Sequence, residues 1–248
     1  MTDELQQTAT FWEHLDELRS CIIRSLAVVA VAAIAAFCLK DELFAIVLAP
    51  HTSDFVTYRL MGIEPFVIQL MNIGLTEQFM THMRVALYTG LLVASPYVLY
   101  QLFGFIAPGL YRQERKAAVW ITASAYVMFI LGTLIDYFII FPLTVRFLGT
   151  YQVSADVANM LTLQSYIDTL IGMSFIMGIV FELPVVCAIL GRLGIINRGL
   201  MKRFRRHAIV TILIASAIIT PTTDAFTLFI VALPIWMLYE VSILLVRK

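Results

Sequence analysis

The sequence predicts an all-α integral membrane protein with six transmembrane helices. Its 248 residues are 60% hydrophobic and only 14% charged, whereas soluble domains typically carry about 25% charged residues. A membrane-spanning helix needs about 20 mainly apolar residues, and six stretches of the chain approach that length. We therefore expect residues 1–248 to form one integral membrane domain, with spans at 21–39, 78–107, 117–145, 166–190, 208–223 and 225–246.

The basic residues are distributed unevenly once the loops are assigned to alternating sides of the six spans. One side holds only Lys40, Arg59 and Arg146, and Arg84 lies close to the start of the second span. Because Lys and Arg are enriched in cytoplasmic loops, both termini are predicted to be cytoplasmic. The 13 residues on the cytoplasmic side are Arg19, Arg24, Arg112, Arg115, Lys116, Arg192, Arg198, Lys202, Arg203, Arg205, Arg206, Arg247 and Lys248.

The first span is predicted to be a retained anchor and not a cleaved signal peptide. Small residues between Ala27 and Ala36 resemble the end of a signal peptide, but the preceding flank is acidic where a secretory signal is basic. Within that flank, residues 8–20 form an amphipathic helix, with Phe11, Leu15 and Leu18 at helical spacing. This helix is expected to lie along or enter the cytoplasmic interface.

The connections and helix ends carry further expectations. The outer segment 40–74 is unusually apolar, so we expect it to be packed or in contact with the membrane. Prolines predict kinks in the second and third spans. Asp136, near the end of the third span, is expected to reach the outer interface by snorkelling or by pairing with Arg146; Asp168 has no assigned role.

The last two spans are predicted to be short. Residues 208–223 offer 16 uncharged residues, or roughly 24 Å of helix against a hydrocarbon core of roughly 30 Å. The final apolar run is shorter still before Glu240 interrupts it. A mismatch of this size predicts local thinning of the bilayer. The basic loop 191–206 before these spans is a topology determinant that can also contact anionic lipid.

The chain lacks the motifs of the common catalytic sites. It contains no HExxH, GxSxG or Walker A motif, and its four histidines are scattered over different segments. The cysteines Cys21, Cys38 and Cys187 lie in or beside apolar spans without CxxC spacing. We expect no enzyme activity, no metal, no cofactor and no nucleic-acid partner.

Two sets of acidic residues stand out. Glu182 lies in the apolar run 171–190, and a carboxylate at membrane depth is a candidate functional site because it is costly unless paired, hydrated or protonated. On the cytoplasmic side, Glu13, Asp16, Glu17 and Glu114 form either local salt bridges with neighbouring arginines or a patch that binds a cationic partner.

Five segments in order resemble the TatC family, the polytopic subunit of the twin-arginine protein translocase. Each motif is weak alone, but together they cover nearly the whole chain in register with the six-helix plan. The segments are His14-Leu15-Asp16-Glu17-Leu18-Arg19, Thr76-Glu77-Gln78-Phe79, Phe105 to Tyr111 with Glu114-Arg115, Phe181-Glu182-Leu183-Pro184, and Thr220-Pro221 with Asp224.

The resemblance implies a receptor in the bacterial inner membrane with a concave, glove-like helix bundle. Such a receptor binds the twin-arginine signals of folded precursors and, with TatA- and TatB-like single-span subunits in an oligomeric complex, nucleates export driven by the proton-motive force. The signal-binding residues would be Glu17, Arg19, Phe105, Leu110, Tyr111 and Glu114. Glu182 would be an intramembrane docking point, and Pro50 and Asp224 structural positions of the outer loops.

The sequence departs from the family pattern at two places, and it leaves two alternative functions open. Cys21 stands where the family commonly has a basic residue, and Thr222-Thr223 where prolines are more usual. The main alternative is a proton-coupled transporter in which Glu182 carries the proton, although the chain has no transporter repeat. A purely structural scaffold is the second alternative.

Overall fold

The computed structural model describes residues 2–66, 68–110, 115–152, 154, 160–220 and 224–246, of which 2–11, 13, 14, 106–110 and 115–118 are described by their backbone. The elements are predominantly helical, which confirms the all-α prediction. The helices are α1 (Thr2–Cys38), α2 (Lys40–Val47), α3 (Val56–Leu60), α4 (Glu77–Leu110), α5 (Arg115–Ile135), α6 (Phe141–Thr150), α7 (Leu163–Val180), α8 (Leu183–Arg192), α9 (Arg198–Arg203), α10 (Arg205–Ile219) and α11 (Ala225–Leu245).

Shorter elements complete the fold. A 3₁₀ turn covers Ala49–His51, and a π-helical segment, Asp136–Ile140, joins α5 to α6. The two-residue strands β1 (Leu70–Met71) and β2 (Leu161–Thr162) pair in parallel, with Leu70 opposite Leu161.

Within the described residues, five helical stretches are long and apolar enough to cross a membrane. They match five of the six predicted spans. The sixth corresponds to α10, whose 15 residues extend about 22 Å, which is less than the hydrocarbon core. The five stretches are Leu15–Cys38, Glu77–Phe105, Val119–Thr150, Leu163–Arg192 and Ala225–Leu245.

The last helix is longer than the sequence suggested. α11 has 21 residues, or about 32 Å of helix, and continues through Glu240 to Leu245. Arg205 donates a 2.5 Å hydrogen bond to the Glu240 carboxylate, so this charge has a partner. The expectation of two short final helices therefore describes the length of α10 but is wrong for α11.

α1 is a single helix of 37 residues. Its sequence contains neither proline nor glycine, so no residue in it interrupts the backbone hydrogen bonds. The predicted amphipathic segment 8–20 is therefore the first part of α1 and continues directly into the first candidate span.

The fold divides into two compact units, Met1–Leu39 with Ala86–Tyr126 and Lys40–Val85 with Val127–Lys248. In the first unit, α4 lies directly against α1 at Gly90. A Cβ atom at this position would lie 2.5 Å from the backbone nitrogen of Ala33. This contact requires glycine, as is usual where helices in membranes approach closely.

α4 continues through Pro96 although proline lacks the N–H group of a regular helix. The carbonyl left without its usual donor is that of Leu92, four residues earlier. The hydroxyl of Ser95 donates to this oxygen at 2.6 Å. A side chain therefore replaces the missing backbone donor, as membrane helices require.

The two larger apolar clusters hold much of the second unit together. One joins the π-helical segment to α7, α10 and α11 through residues such as Ile140, Met177 and Val231. The other lies nearer β1 and β2, around Phe141 and Tyr166.

Small residues set the contact between α5 and α7. A Cβ atom at Gly132 would lie 2.6 Å from the carbonyl oxygen of Met177, and one at Gly178 would lie 2.7 Å from the ring of Phe129. The two helices therefore touch at backbone level, and any larger side chain would separate them.

The outer segment 40–74 is folded and packed, as its composition predicted. Tyr58 on α3 is fully buried, and its hydroxyl lies 3.0 Å from the carbonyl oxygen of Pro50 and 2.8 Å from that of Pro142. Burial raises the pKa of the Tyr58 hydroxyl above its ordinary value, so it stays protonated and shares its single proton between these two carbonyls.

The third span extends beyond its predicted end, because α6 continues through Pro142 to Thr150. Pro142 has no N–H group to donate to the preceding turn, where the π-helical segment shifts the backbone bonding by one residue, since Phe141 donates to the carbonyl of Asp136. The hydroxyl of Thr57 donates to the carbonyl oxygen of Phe138 in that turn. The segment 40–74 thus satisfies a backbone group beside the proline.

Glu77 ties the N-terminal end of α4 to the start of α7. Its carboxylate accepts hydrogen bonds from the backbone N–H groups of Ile73 (3.1 Å), Gly74 (2.9 Å) and Gln164 (2.9 Å). One turn further along α7, Arg84 forms an ion pair with both oxygens of Asp168 at 2.5 and 2.7 Å. Asp168 and Arg84, which the sequence left unassigned, are therefore partners.

Replacing Glu77 by Gln should lower the free energy of unfolding by about 1–3 kcal/mol, since an amide is a weaker acceptor and presents its own N–H₂ group to backbone donors. Thermal unfolding of the purified protein in detergent measures this loss. The matched control is Glu64→Gln, which removes the same charge from an exposed residue and should change stability by less than about 0.5 kcal/mol. Equal losses for both variants would contradict the role of Glu77.

Candidate functional site

The predicted signal-binding residues that the structure describes fall in the first unit. Glu17 and Arg19 are exposed on α1, and Phe105 is half-buried on α4. Glu17 and Arg19 are two residues apart on a continuous helix and therefore point to different sides of it. Leu110 ends α4 and is described by its backbone, whereas Tyr111 and Glu114 lie outside the described residues.

The second candidate site is Glu182, in the second unit. It occupies a two-residue break, Phe181–Glu182, between α7 and α8. Pro184 in the first turn of α8 accounts for this break, because proline cannot donate to the carbonyl of the preceding turn. The helix restarts at once, and Val186 donates to the backbone carbonyl of Glu182 at 2.9 Å.

The carboxylate of Glu182 is enclosed but lacks a donor. Neither oxygen has measurable contact with solvent, and neither accepts a hydrogen bond from any residue that the structure describes. The adjacent residues Val180 and Phe181 belong to the apolar cluster of α7, α10 and α11. A polar group in this position is costly until it gains a hydrogen bond.

Asp136 differs from what the sequence predicted. Its side chain is fully buried in the π-helical segment, and Ser174 on α7 donates to its Oδ2 atom at 2.5 Å. The expectation that Asp136 snorkels outward or pairs with Arg146 is therefore wrong. The pair extends the close α5–α7 contact by one turn, since Asp136 follows Gly132 by four residues and Ser174 precedes Gly178 by four.

The two outer-loop residues have visible structural roles. Pro50 is buried in the 3₁₀ turn, and its carbonyl oxygen receives the Tyr58 hydroxyl. Asp224 is the N-cap of α11, where its Oδ1 atom accepts from the backbone N–H of Thr227 at 2.8 Å. An acidic N-cap satisfies a donor that the helix itself leaves unpaired.

Sequence reasoning missed the roles of Glu77 and Ser174. Glu77 was visible within the Thr76–Phe79 motif, but the three backbone donors that it binds could not be inferred from that motif. Ser174 gave no signal, because an isolated serine in an apolar helix is common. As for metals, the described residues contain no group of three or more His, Cys, Asp or Glu side chains that could hold an ion.

Comparison with known proteins identifies relatives along nearly the whole chain. The model of the family described as Sec-independent protein translocase protein (TatC) matches residues 13–234. A protein of that name from Deinococcus radiodurans is 34% identical over 241 residues, which cover 97% of this chain and 86% of that protein. One from Carboxydothermus hydrogenoformans is 33% identical over 239 residues, covering 96% and 93%.

Two solved structures are similar to this fold. A crystal structure of the twin arginine translocase receptor TatC in DDM has a TM-score of 0.79 and 30% sequence identity, and the match covers 95% of this chain and 100% of that one. A second crystal structure of the TatC receptor has a TM-score of 0.77 and 32% identity, covering 94% and 97%.

Replacing Ser174 by Ala should lower the free energy of unfolding by about 0.6–1.7 kcal/mol, the range of hydrogen bonds between membrane helices. The physical reason is the loss of the hydroxyl that Asp136 receives inside the apolar core. Ser165→Ala removes an exposed hydroxyl from the same helix and serves as the control. Unfolding curves in detergent that show the same loss for both variants would contradict the Asp136–Ser174 pair.

Proposed function

Because the chain belongs to the TatC family of Sec-independent protein translocase proteins, we propose that it is the receptor and core subunit of a twin-arginine translocase. In this role it binds the twin-arginine signal peptides of folded precursors at its cytoplasmic face and nucleates export driven by the proton-motive force. The observation that carries the proposal is the family match over residues 13–234, which includes every residue assigned to signal recognition.

The proposed topology has six spans in the bacterial inner membrane, with both termini in the cytoplasm. Five helical stretches of the described chain support it directly, and α10 provides the sixth if the bilayer thins around it. The 13 basic residues on one side of these spans favour this orientation. The single membrane domain and the concave, glove-like arrangement of its helices are part of the same proposal.

Twin-arginine signals would bind where α1 and α4 reach the cytoplasm. The close contact of Ala33 with Gly90 fixes the two helices to each other. Glu17 precedes Ala33 by 16 residues and Phe105 follows Gly90 by 15, which is about 24 and 22 Å along helices that cross the membrane in opposite directions. Glu17 and Phe105 would therefore lie at similar depth.

The acidic residues of this surface would recognise the paired arginines. Guanidinium groups bind carboxylates through two parallel hydrogen bonds, and Glu17 with Glu114 would supply one carboxylate for each arginine. Arg19, Leu110 and Tyr111 would complete the surface around them. The exposure of Glu17 supports this role.

Glu182 would be the point at which a partner subunit docks. That partner would be a TatA- or TatB-like protein with one membrane-spanning helix. A polar side chain of that helix would donate the hydrogen bond that the described residues do not provide. Such a partner would remove the cost of the enclosed carboxylate only in the assembled, oligomeric complex. The proposal requires no catalysis by this chain.

Glu17→Arg should raise the Kd for a twin-arginine signal peptide by about tenfold or more, because loss of a charged hydrogen-bonded pair costs about 1.5–3 kcal/mol. Fluorescence anisotropy with the purified chain measures it, with a Lys-Lys signal as reference. The matched control is Glu64→Arg, which makes the same charge change at an exposed residue outside this acidic surface. Equal weakening by both variants, or equal binding of both signals, would contradict specific recognition.

Glu182→Leu should affect stability and assembly in opposite directions. It removes an enclosed carboxylate without a donor, so the isolated chain should unfold at the same or a higher temperature. Co-purification with the single-span subunits should fall several-fold, whereas Glu182→Gln, which can still hydrogen-bond, should retain it. Leu183→Ala, at a partly exposed neighbour, controls for surface changes.

Unchanged assembly of Glu182→Leu would disprove the docking role. Proton flux in liposomes that contain only this chain, abolished in the same variant, would instead favour a proton-coupled transporter.

A further inference from the structure

A basic surface lies where α9 meets α10, and it includes no residue of the two candidate sites. A depression of about 930 Å³ is lined there by seven residues, which we call the basic junction: Leu200, Lys202, Arg203, Phe204, Arg205, Arg206 and His207. Four of the seven side chains are permanently cationic, and all four are exposed. The proposed translocase role assigns no function to this surface.

The basic junction has a fixed position on the second unit. Met201, between two of its residues, is buried against Ile243 and Val246 at the end of α11. The hydroxyl of Tyr239 donates to the backbone carbonyl of Met201 at 2.8 Å. The junction is therefore anchored to the bundle at its centre.

Most of its charge has no ion-pair partner among the residues that the structure describes. Arg205 forms an ion pair with Glu240 at 2.5 Å. Lys202, Arg203 and Arg206 form no ion pair with any side chain in the described ranges. Three like charges within five residues repel one another, so an anion bound among them would relieve that repulsion.

Apolar surface adjoins these charges. Within the junction, Phe204 is 48% exposed and Leu200 is 41% exposed. Continuing along α10, Ile209, Val210 and Ile214 are also exposed, at the start of a helix that the proposed topology places in the bilayer. A ligand that carries both a phosphate and a hydrocarbon chain fits the cationic junction together with the apolar face of α10. A free anion would contact only the cationic junction.

Because α10 is short, lipid headgroups would lie close to the basic junction. Its 15 residues extend about 22 Å, so a bilayer that adapts to this helix must be locally thin. Arg205 and Arg206 begin α10 directly. Lipid phosphates at the surface of the thinned bilayer would therefore meet cations that are held in place at the helix end.

We propose that the basic junction is a binding site for the phosphate headgroup of an anionic phospholipid, whose acyl chains lie along the exposed apolar face of α10. Basic residues beside a membrane helix attract anionic lipids, and each adds to the affinity. The site goes beyond the proposed receptor function and needs no signal peptide, so the two proposals are tested separately. From the proposed topology the site takes the position of α10 in the bilayer and its assignment to the cytoplasmic leaflet.

The test titrates the purified full-length chain in detergent with fluorescent phosphatidylglycerol, diphosphatidylglycerol and phosphatidylcholine. We expect the two anionic lipids to bind at least about tenfold more tightly than phosphatidylcholine. Neutralising the junction with Lys202→Gln, Arg203→Gln and Arg206→Gln should weaken anionic-lipid binding about tenfold or more, whereas the charge-retaining exchange Lys202→Arg, Arg203→Lys, Arg206→Lys should preserve it.

The matched control, Lys40→Gln with Arg59→Gln and Arg146→Gln, removes three charges elsewhere in the chain and should leave binding within about twofold. Equal loss in the junction and control variants would overturn the site. If millimolar inorganic phosphate or an acidic peptide displaced the fluorescent lipid as effectively as unlabelled lipid does, the assignment to a lipid would be overturned. If the triple variant does not fold, single Arg206→Gln must still weaken binding, and an unchanged affinity would refute the proposal.

Discussion

The fold depends on how it supplies hydrogen-bond donors to carboxylates that are removed from water. Hydrocarbon offers no donor, so each such group must find one within the protein or carry a large cost. Glu77 receives three backbone N–H groups at the N-terminal end of α4, and Asp136 receives the hydroxyl of Ser174 in the interior. Glu182 accepts from no residue in the described ranges. The first two carboxylates hold helices together, and the third supports a role in binding another molecule.

The same need for donors explains the local structure at Pro96, Pro142 and Pro184. A proline removes a backbone donor and leaves the carbonyl one turn earlier without its partner. Ser95 compensates for Pro96 within α4, and Thr57 compensates for Pro142 from a distant segment. At Pro184 the helix breaks instead, at the residue that carries the unpartnered carboxylate. The site at Glu182 is therefore a consequence of local backbone chemistry.

The helices could largely be predicted from the sequence, because apolar runs of fixed length have few alternatives in a bilayer. The hydrogen-bond and ion-pair partners of the side chains could not be predicted from it. The sequence led us to expect that Asp136 snorkels outward or pairs with Arg146, ten residues away, although its actual partner Ser174 is 38 residues away on another helix. Arg84 and Asp168 are 84 residues apart. Such pairs depend on how the helices are placed against one another in three dimensions, as the glycine contacts do for α5 and α7. At the candidate sites, the sequence indicated which carboxylates to consider but not that Glu182 lies in a helix break.

The bonds of Glu77 also bear on the order in which the chain is completed during synthesis. Two of its donors lie within four residues, but the third, the N–H of Gln164, is 87 residues further along the chain. At the usual rate of about 5–20 residues per second, a ribosome adds that donor roughly 4 to 17 seconds after Glu77. The parallel pairing of β1 with β2 must wait equally long. The contacts of Glu77 and β1 with the start of α7 can therefore form only after α5, α6 and the following loop have been made, and until then Glu77 has two of its three donors.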